Sequence, residues 1–339
     1  MKSKILKISI VLGLSILFIF IFYLLNKDES KLSLNQNRVF KDTLKLEKSI
    51  SLDKKLSLMK FKNNHLYFLS WTDNNQGKLF SLDLIDNNFD PEIDLTDNLE
   101  SFIINNYYIE NGKISYIIKA DKSIRSYDLQ SKLKSAAFYN KNFARVSKRN
   151  SKMLVSGWDN NYKIFFEKYD LQTKAVVKLD IDDDYLSEYN NTGIALDGVY
   201  YDNERNSVML PYSINRAYVF DNDYNYRGKI DLIFNKIAFN FRYSQDKKEL
   251  MVDPNNLNPN LSGYLSQDDI FYVLTDQSTK WNNMNQCYID SYEVNKNEYL
   301  GSFKINDYNN SKPRSIVING DKVYILFEEN LNIYSIHEK

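Results

Sequence analysis

One short pattern recurs through most of the chain, and it limits the possible folds more than any other feature. A strand-like run leads into an acidic or Asn-bearing turn, and a second strand follows. The pattern reads LFSLDLIDN at 79–87, IRSYDLQSK at 124–132, FEKYDLQTK at 166–174, AYVFDNDYN at 217–225, IDSYEVNKN at 289–297 and LNIYSIHEK at 331–339. Its aligned apolar anchors are Leu82, Tyr127, Tyr169, Phe220, Tyr292 and Tyr334, spaced by 45, 42, 51, 72 and 42 residues. A period of about 50 residues is the length of one four-stranded supersecondary unit. Upstream of each anchor lies a β-rich partner: HLYFLSW at 65–71, KISYIIK at 113–119, KMLVSGW at 152–158, SVMLPYS at 207–213, DIFYVLT at 269–275 and KVYILFE at 322–328. Alternating or short apolar runs bounded by Asn, Asp and Gly are strand signals.

Six such units imply an all-β chain built as a β-propeller of about six four-stranded blades over 39–339. A ring must join its ends, because an open sheet edge invites association. Only five residues follow Tyr334, too few for a fourth strand, whereas Val39–Ile50 is a strand without a repeat of its own. That segment is expected to complete the last blade. The 72-residue interval calls for an insertion, expected within 243–268, where two Pro and many Asn interrupt the alternation. The chain has 26 Tyr and 20 Phe but only ten Gly. Asn and Asp are therefore expected to make most of the turns. No segment after residue 26 has a long 3.6-residue period, so little helix is expected.

The YDLQTK-type hairpins and AYVFDNDYNYRGKIDL at 217–232 resemble the six-bladed propellers of the TolB-like and NHL-like kind. The resemblance covers roughly 39–337. It implies ligand or partner binding at a propeller face and brings no catalytic residue onto this chain. The few Gly and the unequal spacing depart from that pattern and leave five or seven blades open.

Residues 8–25, ISIVLGLSILFIFIFYLL, carry no charge. At about 1.5 Å per residue a helix of this length approaches the hydrocarbon thickness of a bilayer. Lys2, Lys4 and Lys7 precede it, so the positive flank predicts a cytoplasmic N-terminus and an extracytoplasmic body. A cleaved signal peptide is the rival, but YLLNKDES offers no small-x-small site. The expected organisation is a cytoplasmic tip and transmembrane anchor over 1–26, a tether over 27–38, and the propeller. The Lys, Asn and Ile bias suits a bacterium with an AT-rich genome.

Formal net charge is zero, but Lys2, Lys4 and Lys7 take three of the 44 basic residues, leaving 41 against 44 acidic ones in the remainder. A body of that balance lacks the basic face that nucleic-acid binding needs. Cys287 is the only cysteine, which excludes an internal disulfide. It reads either as a buried small hydrophobe or as a reactive thiol. Two histidines, His65 and His337, supply neither a Ser-His-Asp triad nor a multi-histidine metal site. No catalytic site, metal site or cofactor is expected. Asp221, Asp223 and Asn225 have the alternate spacing of a calcium loop, but the twelfth position is Leu232, which has no carboxylate to offer. Hairpin turn chemistry accounts for them, and the run Asp182–Asp184 reads as a solvated loop.

Two coincidences point to binding surfaces. Trp71, Trp158 and Trp281 each lie where a second strand runs into its hairpin. They form either an aromatic rim for a peptide, sugar or protein partner, or packing between blades. Arg145, Arg242 and Arg314 lie eight or nine residues before Met153, Leu250 and Val323, taken as second-strand starts. They are expected beside the central channel, either converging on a small anionic ligand or pairing with acidic groups there. The reading that follows is a membrane-anchored, non-enzymatic binding scaffold. The alternative is a channel-mouth enzyme such as a metal-dependent lactonase or lyase.

Overall fold

The computed structural model describes residues 15–21, 38–40, 42–70, 77–96, 104–118, 122–139, 143–159, 161–188, 193–234, 241–243, 250–252, 258–276, 287–306 and 311–338. The first strand, β1 (Asp42–Ser51), is followed by blade one: β2 (Leu56–Lys62), β3 (His65–Ser70), β4 (Lys78–Asp83) and β5 (Ile93–Asp94). Blade two is β6 (Ile104–Glu110), β7 (Lys113–Ile118), β8 (Ser123–Asp128) and β9 (Lys134–Phe138). Blade three is β10 (Arg145–Arg149), β11 (Lys152–Trp158), β12 (Ile164–Asp170) and β13 (Val176–Leu179). Blade four is β14 (Gly198–Asp202), β15 (Asn206–Pro211), β16 (Arg216–Asp221) and β17 (Tyr226–Asp231). A two-stranded hairpin, β18 (Phe241–Tyr243) and β19 (Leu250–Val252), then precedes blade five. Blade five is β20 (Asn260–Leu265), β21 (Ile270–Asp276), β22 (Cys287–Glu293) and β23 (Glu298–Lys304). Blade six is β24 (Ser315–Asn319), β25 (Lys322–Leu326) and β26 (Asn330–Glu338).

Each blade is an antiparallel meander, and β1 supplies the fourth strand of blade six beside β26. Their register runs from Asp42 opposite Glu338 to Ser51 opposite Asn330, with a bulge between Leu46 and Lys48. The expected pairing of the two ends is therefore present, shifted by a few residues. All six expected partner strands are second strands, and all six anchors fall on third strands. The insertion is the hairpin β18–β19, at the edge of the expected interval.

The core explains why the ring closes. Six hydrophobic clusters each join two neighbouring blades. One, for example, packs Val317, Tyr324 and Leu331 of blade six against Leu56, Leu66 and Phe68 of blade one. Because every blade buries both faces, its strands read as apolar runs. Tyrosines carry much of this burial, and several place the hydroxyl on a partner in the neighbouring blade. The Tyr107 hydroxyl of blade two lies 2.7 Å from the Leu58 carbonyl and 2.8 Å from that of Tyr67, both in blade one.

Asn does replace Gly in the tight turns. Asn63, Asn111 and Asn150 adopt left-handed conformations, with φ of 49°, 49° and 52°, in the turns after three inner strands. Asn tolerates this region better than other non-Gly residues do. In DLQSK and DLQTK, Oδ1 of Asp128 accepts from the amides of Gln130 and Ser131, and Asp170 does the same with Gln172 and Thr173.

Of the apolar segment 8–25, residues 15–21 are described and are helical. Among the described residues no helix is long and apolar enough to cross a membrane. The expected transmembrane helix thus falls largely outside the described residues.

Candidate functional site

The inner strands surround a central cavity of about 1020 Å³. One end is ringed by the turns that follow β2, β6, β10, β14 and β20. Its lining carries six cations, Lys60, Lys62, Lys148, Arg149, Lys152 and Arg314, against four carboxylates, Glu110, Asp202, Glu204 and Asp223. Several neutralise one another. Lys148 Nζ lies 3.4 Å from Glu110 Oε2, and Lys152 Nζ lies 2.5 Å from Asp223 Oδ1. Arg314 sits 3.3 Å from Glu328.

Lys60, within the inner strand β2, has no ion pair among the described residues. Its ammonium instead lies 4.3 Å from the Tyr108 ring centroid and 5.3 Å from that of Tyr107. Such cation–π contacts partly replace lost hydration. Burial is the larger effect and depresses its pKa to about 8, although Asp202 and Glu110 pull in the opposite direction.

Across the channel, blades three and four build a hydrogen-bonded cluster. Asp202, the last residue of β14, accepts at Oδ1 from Ser147 and from Ser207, each at 2.5 Å. Ser147 Oγ also meets the Tyr224 hydroxyl at 2.9 Å. Asp202 Oδ2 is buried and has no protein hydrogen-bond partner. Arg149, the last residue of β10, donates from Nη2 to the carbonyls of Asn203 (2.6 Å) and Asn206 (3.2 Å), while its buried Nη1 has no protein partner. Its guanidinium stands 5.6 Å from the Tyr224 ring centroid. Tyr224 is fully buried and has φ of 61°, an uncommon conformation for a bulky residue and one that tends to occur at functional sites. Burial raises the phenol pKa of Tyr108 and Tyr224 well above the ordinary value, and Asp202 adds to the rise, so both stay protonated.

The residues singled out from sequence are dispersed. Arg145 opens the inner strand β10, but it is neutralised there: Nε and Nη2 donate to the Asp197 carboxylate at 2.7 and 3.0 Å. Arg314 precedes β24 and lines the cavity. Arg242 lies on β18, in the inserted hairpin and not on an inner strand; its side chain is outside the described residues. The three arginines therefore do not share an equivalent strand position. Trp158 ends β11, on the disc face opposite the turn that follows β10. It is half-buried against the connection to blade four, where a Cβ on Gly193 would stand 2.7 Å from its Cβ. Trp71 and Trp281 lie outside the described residues.

Asp183 departs from the solvated reading of its run. It is 4% exposed, caps the short helix Asp184–Glu188 through the amides of Tyr185 and Leu186, and pairs with Arg216 at 2.7 Å. Cys287 is buried in the core between blades five and six. His65 Nδ1 lies 2.8 Å from the Asn63 carbonyl, whereas His337 Nε2 lies 2.9 Å from Ser335 Oγ, so they share no partner. Among the described residues, no three His, Cys, Asp or Glu side chains converge as metal ligands would.

No family model matches the chain, and no curated protein sequence matches it. Solved structures do share its fold. Virginiamycin B lyase from Staphylococcus aureus aligns over 86% of this chain and 99% of its own, at 8% identity and a TM-score of 0.50. A streptogramin B lyase structure aligns over 87% and 98%, at 11% and 0.50. A DUF4221-family protein from Bacteroides vulgatus aligns over 88% and 99%, at 13% and 0.54. At these identities the likeness establishes the six-bladed propeller and nothing about chemistry.

Proposed function

We propose that this chain is a membrane-tethered, extracytoplasmic propeller that binds a small anionic ligand in its central channel, as a scaffold and not as an enzyme. One observation carries the reading: Lys60 and Arg149 both line one cavity, and neither has an ion-pair partner among the described residues. Cations dominate the lining, and the volume matches that of sites enclosing a whole small molecule. The proposed membrane anchor is residues 8–25, on the strength of their uncharged length and the lysines before them. Trp71, Trp158 and Trp281 remain the proposed partner rim.

The test uses the full chain in detergent micelles, titrated with succinate, glucuronate and inorganic phosphate by calorimetry. At least one anion binds, and Lys60→Met and Arg149→Met each weaken it roughly tenfold or more. Absence of binding by all three, or binding indifferent to both substitutions, refutes the proposal. A second reading, a channel enzyme such as a lyase, is favoured by the depressed Lys60 pKa, since a partly neutral amine near pH 8 is a usable base. Chemical conversion of the bound anion, abolished by Lys60→Met, would put that reading first.

A further inference from the structure

Lys60 follows a distortion of its own strand. Between Ser57 and Lys60 the register of β2 against β3 shifts, so that Leu58 and Met59 together face the single residue Phe68. Leu58 has φ of 48°, an uncommon conformation for a bulky residue. The bulge is held from both neighbouring blades. The Tyr107 hydroxyl of blade two lies 2.7 Å from the Leu58 carbonyl, and the Met59 amide donates to Ser315 Oγ of blade six at 3.2 Å. Bulges re-aim side chains, and backbone strain of this kind concentrates at functional sites.

Where the bulge delivers the amine, no carboxylate is set to hold it as an ammonium. Lys60 Nζ lies over the rings of Tyr108 and Tyr107, at 4.3 and 5.3 Å from their centroids. Three carboxylates of the cavity wall are engaged elsewhere: Glu110 with Lys148 and the Asn150 amide, Asp202 with Ser147 and Ser207, and Asp223 with Lys152. Asp202 and Glu110 still favour the charged amine, but burial outweighs them and brings its pKa to about 8. Lys60 is nevertheless only half-buried and belongs to the lining of the cavity. A lysine desolvated in this way, beside apolar surface and without a counter-ion, is activated as a nucleophile.

We infer that Lys60 is a nucleophile that joins an aldehyde or ketone entering the cavity as a protonated imine. The neutral amine attacks the carbonyl carbon, and the C–N bond forms as the π pair moves to oxygen. The oxygen takes up the proton that nitrogen gives away. The carbinolamine hydroxyl then leaves as water with one proton from solvent, and the nitrogen lone pair closes the C=N bond. From the ammonium form, the sum is ammonium plus carbonyl giving iminium plus water. This goes beyond the anion-binding reading, because a neutral aldehyde is enough.

The experiment exposes the full chain in micelles, at pH 7, to propionaldehyde with cyanoborohydride, whose hydride reduces the imine to a stable secondary amine. Peptide mass spectrometry then gives the labelling rate of each lysine. Lys60 is expected to label at least about tenfold faster than the exposed lysines, whose amines are almost wholly protonated at this pH. Its rate should level off above about pH 8, while theirs keeps rising to pH 9. Tyr107 and Tyr108 stay protonated across that range, because burial raises both phenols well above their ordinary value. Unfolding in urea should erase the preference. Lys60→Arg keeps the charge but forms no imine, and it should remove the fast-labelled site alone. Because the label is mapped on the unaltered chain, the result does not depend on that variant folding. Labelling of Lys60 no faster than of the exposed lysines, or only in urea, overturns the inference, and so does a preference that survives unfolding. Fast labelling of Lys60 in a chain that binds none of the three anions would sustain it while the anion-binding reading falls.

Discussion

Replacing Lys60 by Met is expected to stabilise the propeller at neutral pH, even though it removes a side chain from the channel wall. Burial lowers the Lys60 pKa from the ordinary 10.5 to about 8 in the folded chain. The unfolded chain therefore binds more protons between those two values, so this group's contribution rises with pH across that window. Below about pH 8 the folded state bears the full penalty of keeping an ammonium in the channel. That penalty is about 3 kcal/mol at most, and water in the channel reduces it toward about 1–2 kcal/mol. At pH 10 the same two constants leave under about 1 kcal/mol. Methionine has similar length, packs on the faces of Tyr107 and Tyr108, and carries no charge.

Thermal and urea unfolding of the full chain in micelles, at pH 7 and pH 10, is the assay. A gain of about 1–3 kcal/mol at pH 7 raises Tm by several degrees for a domain of this size. The gain should shrink severalfold at pH 10. Destabilisation at pH 7 would mean that Lys60 is an ordinary structural lysine, satisfied where it lies. A gain of equal size at both pH values would trace to methionine packing alone. Either result refutes the reasoning.

Three further outcomes are expected. Arg38 is 2% exposed at its side chain and forks onto the fully buried Asp290 at 2.7 and 2.8 Å, so Arg38→Met strands a buried carboxylate and should cost about 3 kcal/mol in urea unfolding. A cost below about 1 kcal/mol would show that the chain before β1 is not tied to blade five. Anion binding should raise the Lys60 pKa, so calorimetry in buffers of different ionisation enthalpy should register uptake of about half a proton per ligand at pH 8 and none at pH 6. Uptake that does not change between these pH values would exclude Lys60 as the proton acceptor. Cys287 should resist a thiol reagent in the folded chain and react on unfolding, because it is buried between blades; rapid native labelling would contradict the packing of β22.

The architecture was legible because its signal repeats. Asp128 and Asp170 make the same turn with the same bonds, so DLQSK and DLQTK align by eye and fix the third strand of each blade. The second strands follow because they are apolar on both faces. Inner strands lack such a marker: LSLMKFK, RVSKR and GVYYD share no residue pattern, since their role comes from their place around the axis. Lys60, Arg149 and Asp202 were consequently missed. A charged residue placed just upstream of a second strand was the available signal, and Arg149 and Asp202 both fit it. Arg242 was misplaced for a related reason. Its position was counted from Leu250, which belongs to the inserted hairpin, whereas the second strand of blade five is Ile270–Asp276.

The same geometry separates what closes the ring from what lines it. Arg38 binds Asp290 and Thr275 and stacks on Tyr288, all in blade five, and Phe40 then bridges to Ser302 of β23 before β1 joins blade six. This strap lies toward the outer edge of the disc. Lys60 touches Tyr107 and Tyr108 on the channel side of blade two and shares no partner with the strap. Lys60 makes no hydrogen bond or ion pair with the strap's partners Asp290, Thr275, Tyr288 and Ser302, so the two sites are independent. Independent sites add. The stabilisation from Lys60→Met and the loss from Arg38→Met should therefore sum in the double variant to within about 0.5 kcal/mol. A larger discrepancy would mean that the segment before β1 and the channel are energetically coupled.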